Sequence, residues 1–241
     1  MEEALVRQRY KIIRILCKEE HYTCAQAVDI LDREKPSCLL NLYDGQLLAD
    51  CLPRFQSLEG REGFRDMFVE RGSLAAIFDD ESGTPIDSVF YKGDRHTRQD
   101  RLEWADALMQ KVLSLADADP LIGCSVLLSE NVLTRPDEKQ IRLRFAIYPM
   151  DGANPREAAL LAGDQLKKIL RTRWESPAEE LDFWDELDRG EYPNIVKLYA
   201  LWTQNRESIG AGYEKLERKS FIGRNLTLLW QKIRHRLKQR G

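Results

Sequence analysis

The chain has no apolar run approaching the roughly 18 residues that cross a bilayer, so no membrane-spanning helix is expected within it. Histidine is scarce, with only His21, His96 and His235, and the five cysteines at 17, 24, 38, 51 and 124 make no C-x-x-C pair. Metal sites need such residues at close spacing, so neither a metal nor a cofactor is expected. An excess of one charge is also missing. A net charge of −3 lacks the basic footprint of a nucleic-acid-binding domain, and no nucleic acid is expected as partner. The start, Met1-Glu2-Glu3-Ala4, does not have the basic-then-apolar layout of a secretory signal. Scattered free thiols suit a reducing compartment, which makes the expected location cytoplasmic.

What is present fits an ordinary globular chain. Apolar residues make up 43% and charged residues 32% of 241, enough to bury one sizeable core or two lobes sharing one. Up to Gly83 the texture is that of short strands. Arg9 to Leu16, Thr23 to Ile30, Cys38 to Tyr43 and Leu74 to Phe78 are short apolar-rich runs closed by turn residues. Between them, Leu47 to Phe68 is expected to be helical, broken at Pro53 and near Gly60 and Gly63.

After Gly83 the pattern turns helical. Leu102, Ala105, Leu108, Met109, Val112 and Leu115 recur at three- and four-residue spacing, one face of a long helix. A hairpin of two short strands follows, Asn131 to Leu133 and Ile141 to Phe145, joined through Pro136-Asp137-Glu138-Lys139. Helices are then expected over 158–170, 178–188, 194–204 and about 226–237. Strands first, then helices around one hairpin, predict an α+β fold. The expected division is a β-rich subdomain over 1–83 and a helical one over 84–241.

Several strings resemble a protein kinase. Cys124-Ser125-Val126-Leu127-Leu128-Ser129-Glu130-Asn131-Val132-Leu133 lies without a gap over the catalytic-loop pattern H-R-D-L-K-P-E-N-I-L. Ile141 to Ala146 resembles the strand ending in D-F-G, with Phe145 at its centre. Leu74 to Gly83 resembles the fifth strand and hinge, and Cys38 to Asn41 falls where V-A-I-K should be. Cys17 to Tyr22 takes the place of the glycine-rich loop. The resemblance covers roughly residues 9 to 150 and, more loosely, the helices beyond. It implies a two-lobed protein-kinase-like fold, with a small N-terminal antiparallel sheet lobe and a larger helical C-terminal lobe.

The resemblance also implies degenerate chemistry. Kinases hold Mg²⁺ and ATP and let an aspartate take the substrate hydroxyl's proton. The aspartate's place is held by Val126, the metal-binding aspartate's by Arg144 and the phosphate-pairing lysine's by Asn41. Cys17, Glu19 and Tyr22 stand where glycines let backbone approach phosphate. Only Asn131, a metal ligand in the family, is kept. Losing a general base alone costs about 10²–10⁴ in rate. The chain is thus expected to be a pseudokinase-like protein-interaction or regulatory scaffold, not a conventional kinase. In addition, Tyr148 to Pro155 leads almost at once into a helix, with no A-P-E motif and little room for a peptide-substrate platform.

Each feature has a plainer reading as well. Asn131 is either a residual ligand contact or a turn residue bonding backbone. Arg144 either binds phosphate or pairs with a neighbouring acid, and Asp79-Asp80-Glu81 is either a cationic grip or a solvated turn. The stripe Trp184, Leu187, Ile195, Leu198, Tyr199 and Trp202 reads as helix core. An atypical phospho- or nucleotidyl-transferase is the competing function, with Glu19, Glu20, Asp79, Asp80, Glu130 and Asn131 as oxygen ligands. A plain helical scaffold is a third reading. Finally, no acid follows Glu217, while Arg218, Lys219, Arg224, Lys232, Arg234, Arg236, Lys238 and Arg240 accumulate beside Leu226, Leu229, Ile233 and Leu237. Cations suit a helix C-terminus, so this is either a solvated closing helix or a juxtamembrane segment, one that lies on an anionic leaflet or tethers the chain to a membrane through its C-terminus.

Overall fold

The computed structural model describes residues 5–34, 36–61 and 63–238. They form two compact units that are not consecutive in sequence: Met1–Ser88 with Asp117–Asn154, and Val89–Ala116 with Pro155–Gly241.

The first unit is built on a six-stranded antiparallel sheet in the order β1-β2-β3-β4-β6-β5. The strands are β1 (Leu5–Val6), β2 (Tyr10–Lys18), β3 (Tyr22–Asp29), β4 (Ser37–Asp44), β5 (Phe64–Glu70) and β6 (Ser73–Asp79). Strands β4 and β6 are central, and their apolar runs are buried almost throughout, as a strand covered on both faces requires. Helix α1 (Gln46–Gln56) joins β4 to β5 and buries Cys51 and Phe55. The expected helix to Phe68 thus ends at Gln56. Gly60 and Gly63 have φ of 79° and 84°, a left-handed turn that suits glycine, and Phe64 to Glu70 then pairs with β6. The edge of β6 needs a partner, and that pairing outweighs the local helical preference.

Three short strands complete this unit: β7 (Thr84–Pro85), β8 (Val132–Arg135) and β9 (Gln140–Leu143), in the order β7-β8-β9. Any side chain on Gly83 would run into Leu133 and the Thr134 carbonyl, so glycine allows β7 to lie against β8. The segment before the hairpin is helix α4 (Pro120–Val126). Asp119 caps it by accepting from the Leu121 N–H at 2.9 Å, with Pro120 in the first turn.

The second unit is helical. It contains α3 (Arg98–Leu113), α5 (Pro155–Ile169), α6 (Ala178–Arg189), α7 (Ile195–Glu217) and α8 (Phe221–Lys238); the sequence division after Ser88 falls within the short α2 (Ile86–Val89). Helix α3 opens on a reciprocal cap between Thr97 and Asp100. Its core includes Leu102, Leu108, Met109, Leu166, Phe183, Leu198, Trp202 and Ile209. Of the expected tryptophan-rich stripe, Leu187, Ile195, Leu198 and Trp202 are buried, while Trp184 and Tyr199 are half-buried. Helix α7 runs thirteen residues past its expected end at Gln204, because Ile209, Gly212 and Leu216 extend the buried face. A six-stranded sheet is incompatible with the plain helical scaffold.

Candidate functional site

The residues that the kinase resemblance singles out lie in the first unit, and many of them converge. The β2–β3 hairpin turns tightly at Glu19 to His21, where the Glu19 N–H donates to the Tyr22 carbonyl at 2.8 Å. Cys17 and Cys24 face each other across the pair. Glu19 points to solvent, whereas Tyr22 turns inward and is 1% exposed. Its ring meets Tyr43 at 5.2 Å and Tyr148 at 5.6 Å. The contacts continue from Tyr43 to Phe55, from Phe55 to Phe78, and from Phe78 to a parallel stack on Phe145 at 5.1 Å. Aromatic side chains therefore run unbroken from the hairpin to the segment after β9. Burial pushes the Tyr22 and Tyr43 hydroxyls well above the usual phenol range, and Tyr148 to about 12.

Asn41 lies at the centre of this arrangement and is fully buried. Its Nδ2 donates to the Phe145 carbonyl at 2.8 Å, and its Oδ1 accepts from the Ile147 N–H at 2.9 Å and the Tyr22 hydroxyl at 2.8 Å. One carboxamide thus satisfies backbone on both sides of Ala146. The Tyr43 hydroxyl adds a 2.7 Å bond to the Ile147 carbonyl. A buried amide with donor and acceptor both used is strongly fixed in place.

Val126, at the end of α4, is fully buried and has no polar atom to offer. Asn131 is 1% exposed; its Nδ2 donates to Ser125 O at 2.8 Å and Ala146 O at 3.2 Å. Both amide protons are thereby spent on backbone, as a structural turn residue would spend them. Arg144 continues this scaffold through its backbone, donating to the Asn131 carbonyl at 2.8 Å. Its guanidinium makes no ion pair among the described residues, and its Nε is buried without a hydrogen-bond partner. Burial pushes the nearby Cys24 thiol up to about 12, although the Arg144 charge pulls the other way.

The acids proposed as metal ligands are engaged elsewhere or exposed. Asp79 accepts from Arg65 Nε at 2.6 Å, and Asp80 from Ser37 at 2.9 Å and Gln26 at 3.2 Å. Glu19, Glu20 and Glu130 are on the surface. Among the described residues, one set of three side chains brings metal-ligating atoms within 4.8 Å of one another: Asp182 and Asp185 on α6 with His235 on α8. Sequence spacing alone could not find it, since α8 meets α6 some fifty residues later. Asp185 and His235 also line an open pocket of about 510 Å³ with Trp174, Trp184 and Lys232.

A curled antiparallel sheet with one inserted helix, a second sheet of three short strands and a set of helices make a protein-kinase-like fold. A double mutant of the Mycobacterium tuberculosis PknI kinase domain matches it at a TM-score of 0.55 with 13% identity, over 88% of this chain and 99% of that one. Rad53 in complex with AMP-PNP matches at 0.54 with 13% identity, over 80% of this chain. The match spans 64% of the length of the Rad53 chain. At such identity the likeness shows the fold alone. No protein-family model matches the sequence, and no curated protein matches it.

Proposed function

We propose that the chain is a non-catalytic, kinase-like domain that serves as a protein-interaction or regulatory scaffold. The observation that carries this reading is Asn41. At the position that the resemblance gives to the phosphate-pairing lysine, a neutral side chain is bonded through both its oxygen and its nitrogen, to Tyr22, Ile147 and Phe145. Val126 supplies no base, and Asn131 spends its amide protons on backbone. Phosphoryl transfer rests on positioning and on charge stabilisation by lysine and metal. Isothermal titration with ATP and Mg²⁺, run beside a phosphotransfer assay, tests the reading. It expects no turnover, and turnover abolished by Asn131→Ala would end it.

A second reading, an atypical nucleotide-binding phospho- or nucleotidyl-transferase, draws on one observation. The buried Nε of Arg144 has no partner, and a guanidinium can grip phosphate without metal. It predicts nucleotide binding that is independent of Mg²⁺ and lost in Arg144→Ala.

A further inference from the structure

Helix α8 is held along one side only. Leu228 is 1% exposed, and His235 lies 3.5 Å from Asp185 of α6. Phe221 at the start of the helix is 75% exposed, and six further apolar side chains are left uncovered by the described residues: Ile222 is 71% exposed, Leu226 59%, Trp230 70% and Leu237 65%, with Leu229 and Ile233 both at 47%. At helical spacing these six positions fall within one stripe roughly 100° wide, as broad as the face that a surface helix turns to its core. Single exposed apolar residues are ordinary. A continuous stripe over four turns marks a docking surface.

Charge identifies the occupant. No acid follows Glu217, while Arg218 and Lys219 lie just before the helix and Arg224, Lys232 and Arg234 lie on it. The side chains of Arg236 and Lys238, and Arg240 altogether, lie outside the described residues. Arg224 and Lys232 are drawn inward, to Glu175 at 3.5 Å and to the Arg173 carbonyl at 3.0 Å. Arg218, Lys219 and Arg234 are exposed. A second copy of α8 would bring the same cations and set like charge against like. An anionic lipid surface offers an apolar interior and negative headgroups together. Trp230 also suits that boundary, since indoles favour the headgroup level.

We propose that α8 docks in the plane of an anionic lipid surface, with the stripe in the acyl boundary and the exposed cations on the lipid phosphates. The helix does not need to cross, and no described helix is long and apolar enough to do so. The proposal does not depend on the scaffold reading above.

The test is co-sedimentation of the 241-residue chain with vesicles of phosphatidylcholine, alone or mixed with phosphatidylglycerol. Binding is expected on the mixed vesicles, little on the neutral ones, and less as salt rises. Lys219→Glu combined with Arg234→Glu should lower partitioning by roughly tenfold or more. Leu226→Glu with Ile233→Glu should abolish it and leave circular dichroism and Tm unchanged, because both side chains are exposed. No binding to mixed vesicles at low salt, or binding that these variants leave intact, overturns the proposal. So does a dimer by light scattering that Leu226→Glu dissolves, if vesicle binding is absent.

Discussion

Asn41 and Phe145, 104 residues apart, are joined by a 2.8 Å hydrogen bond from the Asn41 amide to the Phe145 carbonyl. With the bonds to Ile147 and Tyr22, this side chain fastens the segment after the hairpin to the middle of the sheet. The residue at the lysine position of the kinase resemblance is here a structural tie.

Removing the tie should therefore cost stability. Asn41→Ala leaves the Phe145 carbonyl, the Ile147 N–H and the Tyr22 hydroxyl unpaired in a buried place. A loss of about 3 kcal/mol or more is expected in urea unfolding, since each buried orphan costs about 1–3 kcal/mol. Asn41→Lys should be at least as damaging, because it buries a charge with no acid among its Asn41 partners. A lysine variant of wild-type stability would show that the site is open and solvated.

Val126→Asp introduces the residue type that the kinase resemblance would put there as base, but places a carboxylate at a fully buried position. The expected result is destabilisation by several kcal/mol and no gain of phosphotransfer, measured by Tm and a labelled-ATP assay.

In the helical unit, Asp94 is paired with Arg101 at 2.5 and 2.6 Å, with Arg173 adding a bond at 2.9 Å. Both members of the inner pair are buried, at 3% and 5% side-chain exposure. Burial pulls the Asp94 carboxyl up, but the bonds and charge of Arg101, with the His96 N–H and Arg173, outweigh it and hold the group below its ordinary value. A carboxyl lowered in this way stabilises the fold above the ordinary aspartate range near 3.9, and that contribution fades as pH falls through the folded value. Asp94→Asn should lose about 3–5 kcal/mol at neutral pH by leaving Arg101 buried and under-compensated. Its deficit against wild type should shrink as the pH is lowered below about 4. An equal deficit from pH 7 to pH 3 would contradict the pairing.

Glu180 behaves in the opposite sense. Burial raises its carboxyl above the usual range, despite the 2.6 Å bond from the Tyr213 hydroxyl. The ionised form then costs stability at neutral pH, and the cost disappears below the ordinary glutamate value near 4.3. Glu180→Gln, which still accepts from Tyr213, should raise Tm at pH 7 and give no advantage near pH 4. A lower Tm at pH 7 would show that the charge itself is needed.

Much of the sheet was legible because β4 and β6 are contiguous apolar runs between turn residues, a pattern that survives any tertiary context. Strand β5 was not, since Phe64-Arg65-Asp66-Met67-Phe68 mixes polar and apolar residues as an edge strand does, and its identity comes from β6. Helix α4 is too short for a period to show. At the candidate site, the string from Cys124 to Leu133 was readable as kinase-like. The meeting of Tyr22, Tyr43 and Tyr148 around Asn41 was not, because it depends on pairings that span up to a hundred residues. The basic, apolar character of α8 was visible too. Its exposure was not, since the same spacing serves a face turned to core or to solvent.

Whether the domain keeps a kinase's metal-nucleotide site is decided by a thermal-shift titration with ATP and ADP, with and without Mg²⁺ or Mn²⁺. A ligand at about 100 times its dissociation constant adds about 2.7 kcal/mol, a shift that is easily seen. A non-catalytic domain with Asn41 and Val126 at these positions should show no metal-dependent shift with either nucleotide. A shift that requires Mg²⁺ or Mn²⁺ and vanishes in Asn131→Ala would overturn this, because Asn131 Oδ1 would then be holding metal while its Nδ2 stays on the Ser125 and Ala146 carbonyls.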